Sequence, residues 1–347
     1  MNVVLVGPRR FGKTSFIIDL LKYEEQTHKR PTVLVDIFNI TSHRDFLQQL
    51  VNALRKKNSL LKKFGAWIKS LPSQFKPILT WENNAAGSVS LQFSPHLASD
   101  DQIKQLILET LDSLGNIAPN LCIAFDEFQS VARLEDEGWL EATLRSKMQA
   151  HKTISFLFSG SRRSIIHDMF NDNNRPFYRT CQMIDFSYPP EDAFADWIIQ
   201  RFGISGVSCS KNAALHLFSQ VSHTPNYVQM VCFHIVAAGE TSVTKEGINA
   251  MLHTIVKQNA YAYQTLLNTL TLSQQRILRL AAREKESVHS KEFLDKYEIK
   301  SSAHVATALN ALKAKQIIDE STKKGKVVFD DPLFALWLND EFPENHG

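Results

Sequence analysis

An α/β fold is predicted, with a parallel-sheet core followed by a helical unit and a small helix-and-hairpin module, and three observations carry that reading. Short apolar runs of buried-strand character alternate with helical periodicity through the first half of the chain. A glycine-containing loop joins the first run to the first helix, the order of a nucleotide-binding unit. After Tyr188-Pro189-Pro190 strands give way to helices, and from about Ser273 three short helices precede a hairpin.

The chain has 347 residues, more than one core comfortably holds, so three compact units are expected. An apolar fraction of 44% and a charged fraction of 22% are those of an ordinary globular protein able to bury a core. A formal charge of +3 neither demands nor excludes nucleic acid, which leaves the matter to local patches. Cys122, Cys181, Cys209 and Cys232 show no metal-binding spacing and read as reduced thiols. No apolar run approaches the roughly 20 residues of a membrane span, and Met1 to Gly7 is too short for a signal peptide, so a cytoplasmic protein is expected.

In chain order, Asn2-Val3-Val4-Leu5-Val6 reads as a buried strand ending at Gly7-Pro8, and Phe16, Ile17, Leu20 and Leu21 give a helix from Thr14 to about Tyr23. A second buried strand is Thr32 to Ile37. From Ser42 to about Gly65 apolar and basic residues recur at helical spacing, with Lys56, Lys57, Lys62, Lys63 and Lys69 making a positive face: a solvated surface, or one that binds a partner. Pro77, Asn83-Asn84 and Gly87 interrupt the pattern and Ser88 to Phe93 alternates, which suggests a hairpin insertion. A helix from Asp100 to about Leu114, capped by Ser99 or Asp100, buries Ile103, Leu106, Ile107 and Leu111.

Leu121 to Phe125 is a third buried strand, ending in Asp126-Glu127, and Ile154 to Phe158 a fourth, ending in Ser159-Gly160-Ser161. Polar residues at the carboxyl ends of parallel strands line the binding crevice of such sheets. Beyond residue 188, helices are expected at Ala193 to Phe202, Ala213 to Ser222 and Asn226 to Ala238. Helices at Gln274 to Arg283, Ser290 to Lys296 and Ala303 to Lys315, then a hairpin of Gln316 to Glu320 and Lys326 to Phe329 turning through Gly325, make a winged-helix module.

Gly7-Pro8-Arg9-Arg10-Phe11-Gly12-Lys13-Thr14-Ser15 fits G-x-x-x-x-G-K-S/T between a buried strand and a helix, the context that identifies a phosphate-binding P-loop. Backbone amides of such a loop wrap phosphates, Lys13 neutralises the β/γ oxygens, and the Thr14 hydroxyl ligates Mg²⁺. Asp126 is the candidate to bind that Mg²⁺ through water, and Glu127 to orient or deprotonate the attacking water. Ser159 and Ser161 are candidates to sense the γ-phosphate, although a Ser-Gly-Ser turn also arises for backbone reasons alone. Arg162, Arg163, Arg175 and Arg179 compete for a charge-stabilising role, with an ordinary surface or ion-paired role the alternative for each.

These residues resemble the archaeal-type ATPases of the STAND branch of AAA+ P-loop NTPases. The resemblance is carried by the loop from Gly7 to Ser15, Phe125-Asp126-Glu127-Phe128-Gln129, the Ser159-Gly160-Ser161 turn and Arg175-Pro176-Phe177-Tyr178-Arg179. It is carried also by Asp331-Pro332-Leu333-Phe334-Ala335-Leu336-Trp337-Leu338, which is similar to the signature that follows the family's winged helix. The resemblance implies an AAA+ parallel-sheet ATPase core (1–188, with an insertion at about 42–98), a helical lid (189–268) and a winged helix (269–347), arranged as a nucleotide-set switch. It implies ATP and Mg²⁺ as ligands, and Arg179 is the arginine put forward for the site. Two features depart from the family pattern. A Phe-x-x-Arg-Glu-like segment near the nucleotide base normally precedes the first strand, yet Gly7 follows only six residues, so either the adenine pocket is incomplete or the chain is a shortened version. The family's Gly-x-Pro lid turn is here His223-Thr224-Pro225, keeping Pro225 as a nucleotide contact and making His223 a structural residue in expectation.

Three functions follow as expectations. The first is a slow ATP-hydrolysing switch whose winged helix, or basic helical insertion, engages a protein partner. The second is an ATP-dependent DNA-binding protein, for which the helix at Ala303 to Lys315 offers only Lys313 and Lys315. The third is a nucleotide-binding scaffold with negligible turnover.

Overall fold

Five parallel strands carry the first half of the chain in a computed structural model that describes residues 2–70, 78–81, 89–92, 99–284, 287–299, 301–319 and 327–343. The strand β1 (Val3–Val6) leads through the loop into α1 (Lys13–Thr27), and β2 (Thr32–Asp36) is followed by α2 (His43–Arg55) and α3 (Asn58–Ser70). A separate antiparallel pair, β3 (Ile78–Trp81) and β4 (Val89–Gln92), precedes α4 (Asp100–Ile117), which returns to β5 (Cys122–Asp126). A 3-10 turn at Phe128–Arg133 and α5 (Trp139–Ala150) lead to β6 (Ser155–Gly160), and α6 (Arg163–Asn171) leads to β7 (Gln182–Asp185). The sheet order is β2-β5-β6-β1-β7, with every neighbouring pair parallel.

The strands alternate between two cores because successive side chains face opposite sides of a sheet. Val4, Val6, Ile123, Phe125, Phe156 and Phe158 join the larger core with α2 to α6. Leu5, Cys122, Ala124 and Leu157 pack with Ile17 and Leu21 of α1 on the other face. Each large apolar side chain so buried contributes about 1.5–3 kcal/mol. The strands read as apolar runs in the sequence are β1, β2, β5 and β6. The fifth, β7, is an edge strand exposing Gln182, Ile184 and Asp185, so it carries no buried apolar run.

The basic segment after residue 42 forms two helices, α2 and α3, and Lys57 is committed within the unit, its ammonium 3.0 Å from Glu25. The predicted hairpin insertion corresponds to β3 and β4, with Ile78 opposite Gln92. The residues taken as its punctuation, Pro77, Asn83, Asn84 and Gly87, and its flanks Ser88 and Phe93, lie outside the described residues. Ser99 caps α4, its side chain accepting from the amide of Gln102.

The chain divides into two compact units, 1–8 with 12–186, and 9–11 with 187–347. The second unit comprises α7 (Glu191–Ile204), β8 (Ser208–Cys209), α8 (Lys211–Gln220), α9 (Pro225–Ala237), β9 (Ser242–Val243) and the long α10 (Lys245–Asn268). It continues with α11 (Leu272–Arg283), α12 (Lys291–Lys296), α13 (Ser302–Ala314), the pair β10 (Ile318–Asp319) and β11 (Val328–Phe329), and α14 (Pro332–Glu341). Three helices followed by a two-stranded wing match the predicted winged helix; the wing's Gly325 turn lies outside the described residues. One apolar cluster runs from α7 to α14. The Asp331-Pro332 step starts α14, with the Asp331 carboxylate accepting the Leu333 amide at 2.9 Å.

All four cysteines are free thiols, as their spacing suggests, and burial pushes Cys181 up to about 11 and Cys232 up to about 12. No described helix is long and apolar enough to cross a membrane.

Candidate functional site

The carboxyl ends of β1, β5 and β6 converge, and the polar residues singled out in the sequence lie on them. After β1 the chain turns through Gly7, where an added Cβ would lie 2.2 Å from the Phe186 carbonyl oxygen; no larger residue fits without moving backbone. Gly12 has φ +88°, the left-handed conformation that lets the loop turn directly into α1. Lys13 then opens α1. It is buried, and its ammonium donates to the carbonyls of Gly7 at 2.9 Å and Pro8 at 2.7 Å.

Thr14 faces the end of β5, and its hydroxyl donates to Asp126 Oδ2 at 2.5 Å. The other carboxylate oxygen of Asp126 accepts from the Ser159 hydroxyl at the end of β6 and from the Glu127 amide at 3.1 Å. Asp126 and Ser159 are both buried, which fixes this polar triad at the carboxyl ends of β5 and β6. Hydroxyl and carboxylate oxygens are the donor set that suits Mg²⁺, which keeps several waters and binds one or two protein groups together with phosphate. Among the described residues no group of three or more His, Cys, Asp or Glu forms a metal cage.

Glu127 has φ 57°, a left-handed backbone that turns the chain off the strand into the 3-10 turn. Its Oε2 accepts from the Ser161 hydroxyl at 2.7 Å and from the Gln129 side-chain amide. Gln129, named in the sequence only as the end of the motif at 125–129 and given no role there, also reaches Ser161, 32 residues away. Gly160, between Ser159 and Ser161, is closed in: a Cβ there would lie 2.5 Å from Ile166 and 2.6 Å from Gln129 Oε1.

The arginines fall in different settings. Arg175 is ion-paired with Glu141, a carboxylate buried in α5 whose pKa burial raises and Arg175 partly restores. Arg163 lies 3.9 Å from Asp185. Arg179 has φ 52°, donates its amide to the Phe170 carbonyl at 3.0 Å, and sets its guanidinium 5.0 Å from the Tyr178 ring. Within the second unit, the Arg10 carbonyl accepts the Asn226 amide at 3.3 Å, one residue after Pro225 at the start of α9, and the Arg10 guanidinium lies 5.0 Å from the Tyr227 ring. Phe11 sets its ring edge against Tyr188 at 4.9 Å. His223 lies 3.1 Å from the Glu191 carboxylate and against the Phe218 ring, a packed residue at the turn before α9.

Comparison with known proteins agrees with this architecture. Residues 1–167 match a family model described as an AAA domain, and residues 261–340 one described as a probable winged helix domain. The fold is similar to that of the Walker-type ATPase PABY2304 of Pyrococcus abyssi, at 18% identity and TM-score 0.62, covering 97% of this chain and 90% of that one. It is similar also to the Aeropyrum pernix ORC2 protein, solved as ADPNP-ADP complexes, at 15% identity and TM-score 0.56, covering 98% and 87% of the two chains. The Aeropyrum pernix ORC1 protein, solved in complex with DNA, has 11% identity and TM-score 0.52, with 98% and 86% covered. No curated protein sequence matches the chain. The protein therefore has an AAA+ P-loop fold, a parallel α/β core, with a C-terminal winged-helix domain at residues 261–340.

Proposed function

We propose that this protein is an Mg²⁺-dependent ATPase that acts as a slow nucleotide-driven switch, of the kind found in the STAND branch, and that its winged helix engages a protein partner. The observation that carries the reading is the 2.5 Å bond from Thr14 to Asp126. It joins the end of the P-loop to the end of β5, with Lys13 one residue before and Glu127 one residue after. In this reading the loop amides and the N-terminus of α1 bind the phosphates of ATP, and Lys13 exchanges its two carbonyl acceptors for β/γ oxygens. Thr14, and Asp126 through water, would hold Mg²⁺, which would supply charge neutralisation at the phosphate oxygens. Glu127 takes the proton of the attacking water, Ser159 holds Asp126, and Arg179 is the arginine assigned to developing charge. Pro225 belongs to a lid spanning 189–268, and the winged helix to 269–347. The protein is expected to work in the cytoplasm.

A second reading is favoured by one likeness, the DNA-bound ORC1 protein of the same fold. DNA is then the partner, although α13 contributes only Lys313, with Lys315 at its cap. The deciding experiment is ATP turnover with Mg²⁺, with and without double-stranded DNA, for wild type, Lys13→Ala and Glu127→Gln. Wild-type turnover is expected. Lys13→Ala abolishes ATP binding, and Glu127→Gln keeps binding while losing about 10²-fold or more in turnover. Turnover surviving in Lys13→Ala overturns the site. ATP binding without turnover identifies a nucleotide-gated scaffold instead, and stimulation by DNA selects the second reading.

A further inference from the structure

We propose that Gln129 is the positioning residue of the hydrolytic site: it fixes the orientation of the Glu127 carboxylate and, through Ser161, ties that carboxylate to the turn after β6. This rests on the ATPase reading above. The inference starts from an amide whose orientation is decided by its surroundings. Gln129 is 1% exposed, so its two polar ends must find partners inside the protein. Its Oε1 accepts from the Ser161 backbone amide at 3.3 Å, a group that can only donate. That contact fixes which end of the side chain carries the NH₂ group. Nε2 therefore points to Glu127, donating to Oε2, and lies 3.4 Å from the Ser161 hydroxyl.

The Ser161 hydroxyl donates to the same Oε2 at 2.7 Å. Two donors converge on one oxygen of Glu127, which leaves Oε1 as the oxygen to receive a proton from water. A carboxylate bound through one oxygen in this way keeps its second oxygen in a fixed place, and a general base must sit within hydrogen-bond reach of the water it activates. Glu127 cannot be held by its own backbone preference, since φ 57° is a region that glutamate rarely occupies.

The platform under this network is rigid. Phe128, between Glu127 and Gln129, is fully buried, with its ring 4.5 Å from Phe158 and 5.3 Å from Phe177. Gly160 sets the spacing on the other side, because a Cβ there would overlap Gln129 Oε1. The glutamine is thus confined from both sides, with one amide orientation and one carboxylate to serve.

The test is Mg-ATP turnover, with nucleotide affinity measured separately by a fluorescent ATP analogue. The variants are Gln129→Met, which keeps volume but removes both hydrogen-bonding ends, Ser161→Ala, the double variant, and Lys13→Ala as the site control. Thermal melts confirm that each variant folds. Gln129→Met and Ser161→Ala are each expected to lower kcat about tenfold or more, since small misplacements of a reacting group cost that much. Affinity for the analogue stays within about twofold, because both side chains are committed to Glu127 Oε2 and Ser161 is taken here as its holder rather than as a sensor of phosphate. The double variant is expected to lose less than the product of the single losses, because either single loss already frees the Glu127 carboxylate. If wild type turns over ATP and Lys13→Ala does not, an unchanged or raised kcat in both Gln129→Met and Ser161→Ala overturns this inference alone. Absence of wild-type turnover overturns the hydrolysis reading and takes the inference with it.

Discussion

At the residue scale the site is built by close approach rather than by charge alone. Gly160 separates two serines with different duties: Ser159 bonds Asp126, and Ser161 bonds Glu127. Its missing side chain is what lets Gln129 and Ile166 close over the strand end. Gly160→Ala is therefore expected to lower stability by about 1–3 kcal/mol, the usual effect of forcing a methyl group into a packed interior. Because the nearest movable atoms include Gln129 Oε1, 2.6 Å from the added methyl, turnover should fall by more than the small unfolded fraction accounts for. Urea unfolding beside ATP turnover on the same sample checks this. Loss of stability with full turnover would mean that Ile166 alone makes room. The P-loop, the Asp126-Glu127 pair and the Ser-Gly-Ser turn were legible because their chemistry is local in sequence. Gln129 was quoted within the motif at 125–129 but given no role, because its amide orientation is set by the Ser161 turn, 32 residues on.

At the element scale, legibility followed burial. The strands β1, β2, β5 and β6 carry buried apolar runs and could be read directly, whereas β7 exposes Gln182, Ile184 and Asp185 and offers no such run. The helix α5 begins after Gly138 with no side-chain cap, so it carries no start signal of the Ser or Asp type. What holds α5 instead is tertiary. His43, at the start of α2, is buried, its Nδ1 lying 2.7 Å from Asp100 at the start of α4 and its Nε2 lying 3.1 Å from Asp136. Asp136 in turn accepts the amides of Gly138 at 3.0 Å and Leu140 at 2.9 Å, serving the first turn of α5. One imidazole thus lies between the carboxylates that start α4 and precede α5. Burial raises the pKa of Asp100, but hydrogen bonds from His43 and Lys104 outweigh it, and the net shift is below the ordinary 3.8. A lowered carboxylate pKa adds stability that is present above the unfolded value and is lost as pH falls through the folded one. His43→Ala is expected to cost about 2 kcal/mol at pH 6, where hydrogen bonds to charged groups are lost. It should also flatten the acid-side decline in stability below pH about 4. Urea titrations from pH 6 to pH 3 measure both, and an acid limb identical to wild type would remove His43 from the account.

At the scale of the whole molecule, the two units differ in how their cores are divided. The first has separate cores on the two faces of its sheet. The second has one core, continuous from α7 to α14. Within it α10 is shared: Ile248, Leu252 and Ile255 lie in its first half, and Tyr263 and Leu267 are buried in its last turns. The Tyr263 ring lies 5.3 Å from Phe334 and 5.9 Å from Trp337 in α14, and its hydroxyl donates to Asp331 at 3.3 Å. The end of α10 therefore completes the winged helix, in accord with a family match that begins at residue 261. Each of Tyr263 and Leu267 buried there is worth about 1.5–3 kcal/mol. Small domains have only about 5–15 kcal/mol in total, so losing both removes a large share. A fragment of residues 258–347 is expected to melt cooperatively, whereas 269–347 should show a broad transition and bind a dye for exposed apolar surface. Circular dichroism melts and dye fluorescence on the two fragments decide it. Equal midpoints would mean that α11 to α14 close their own core without α10.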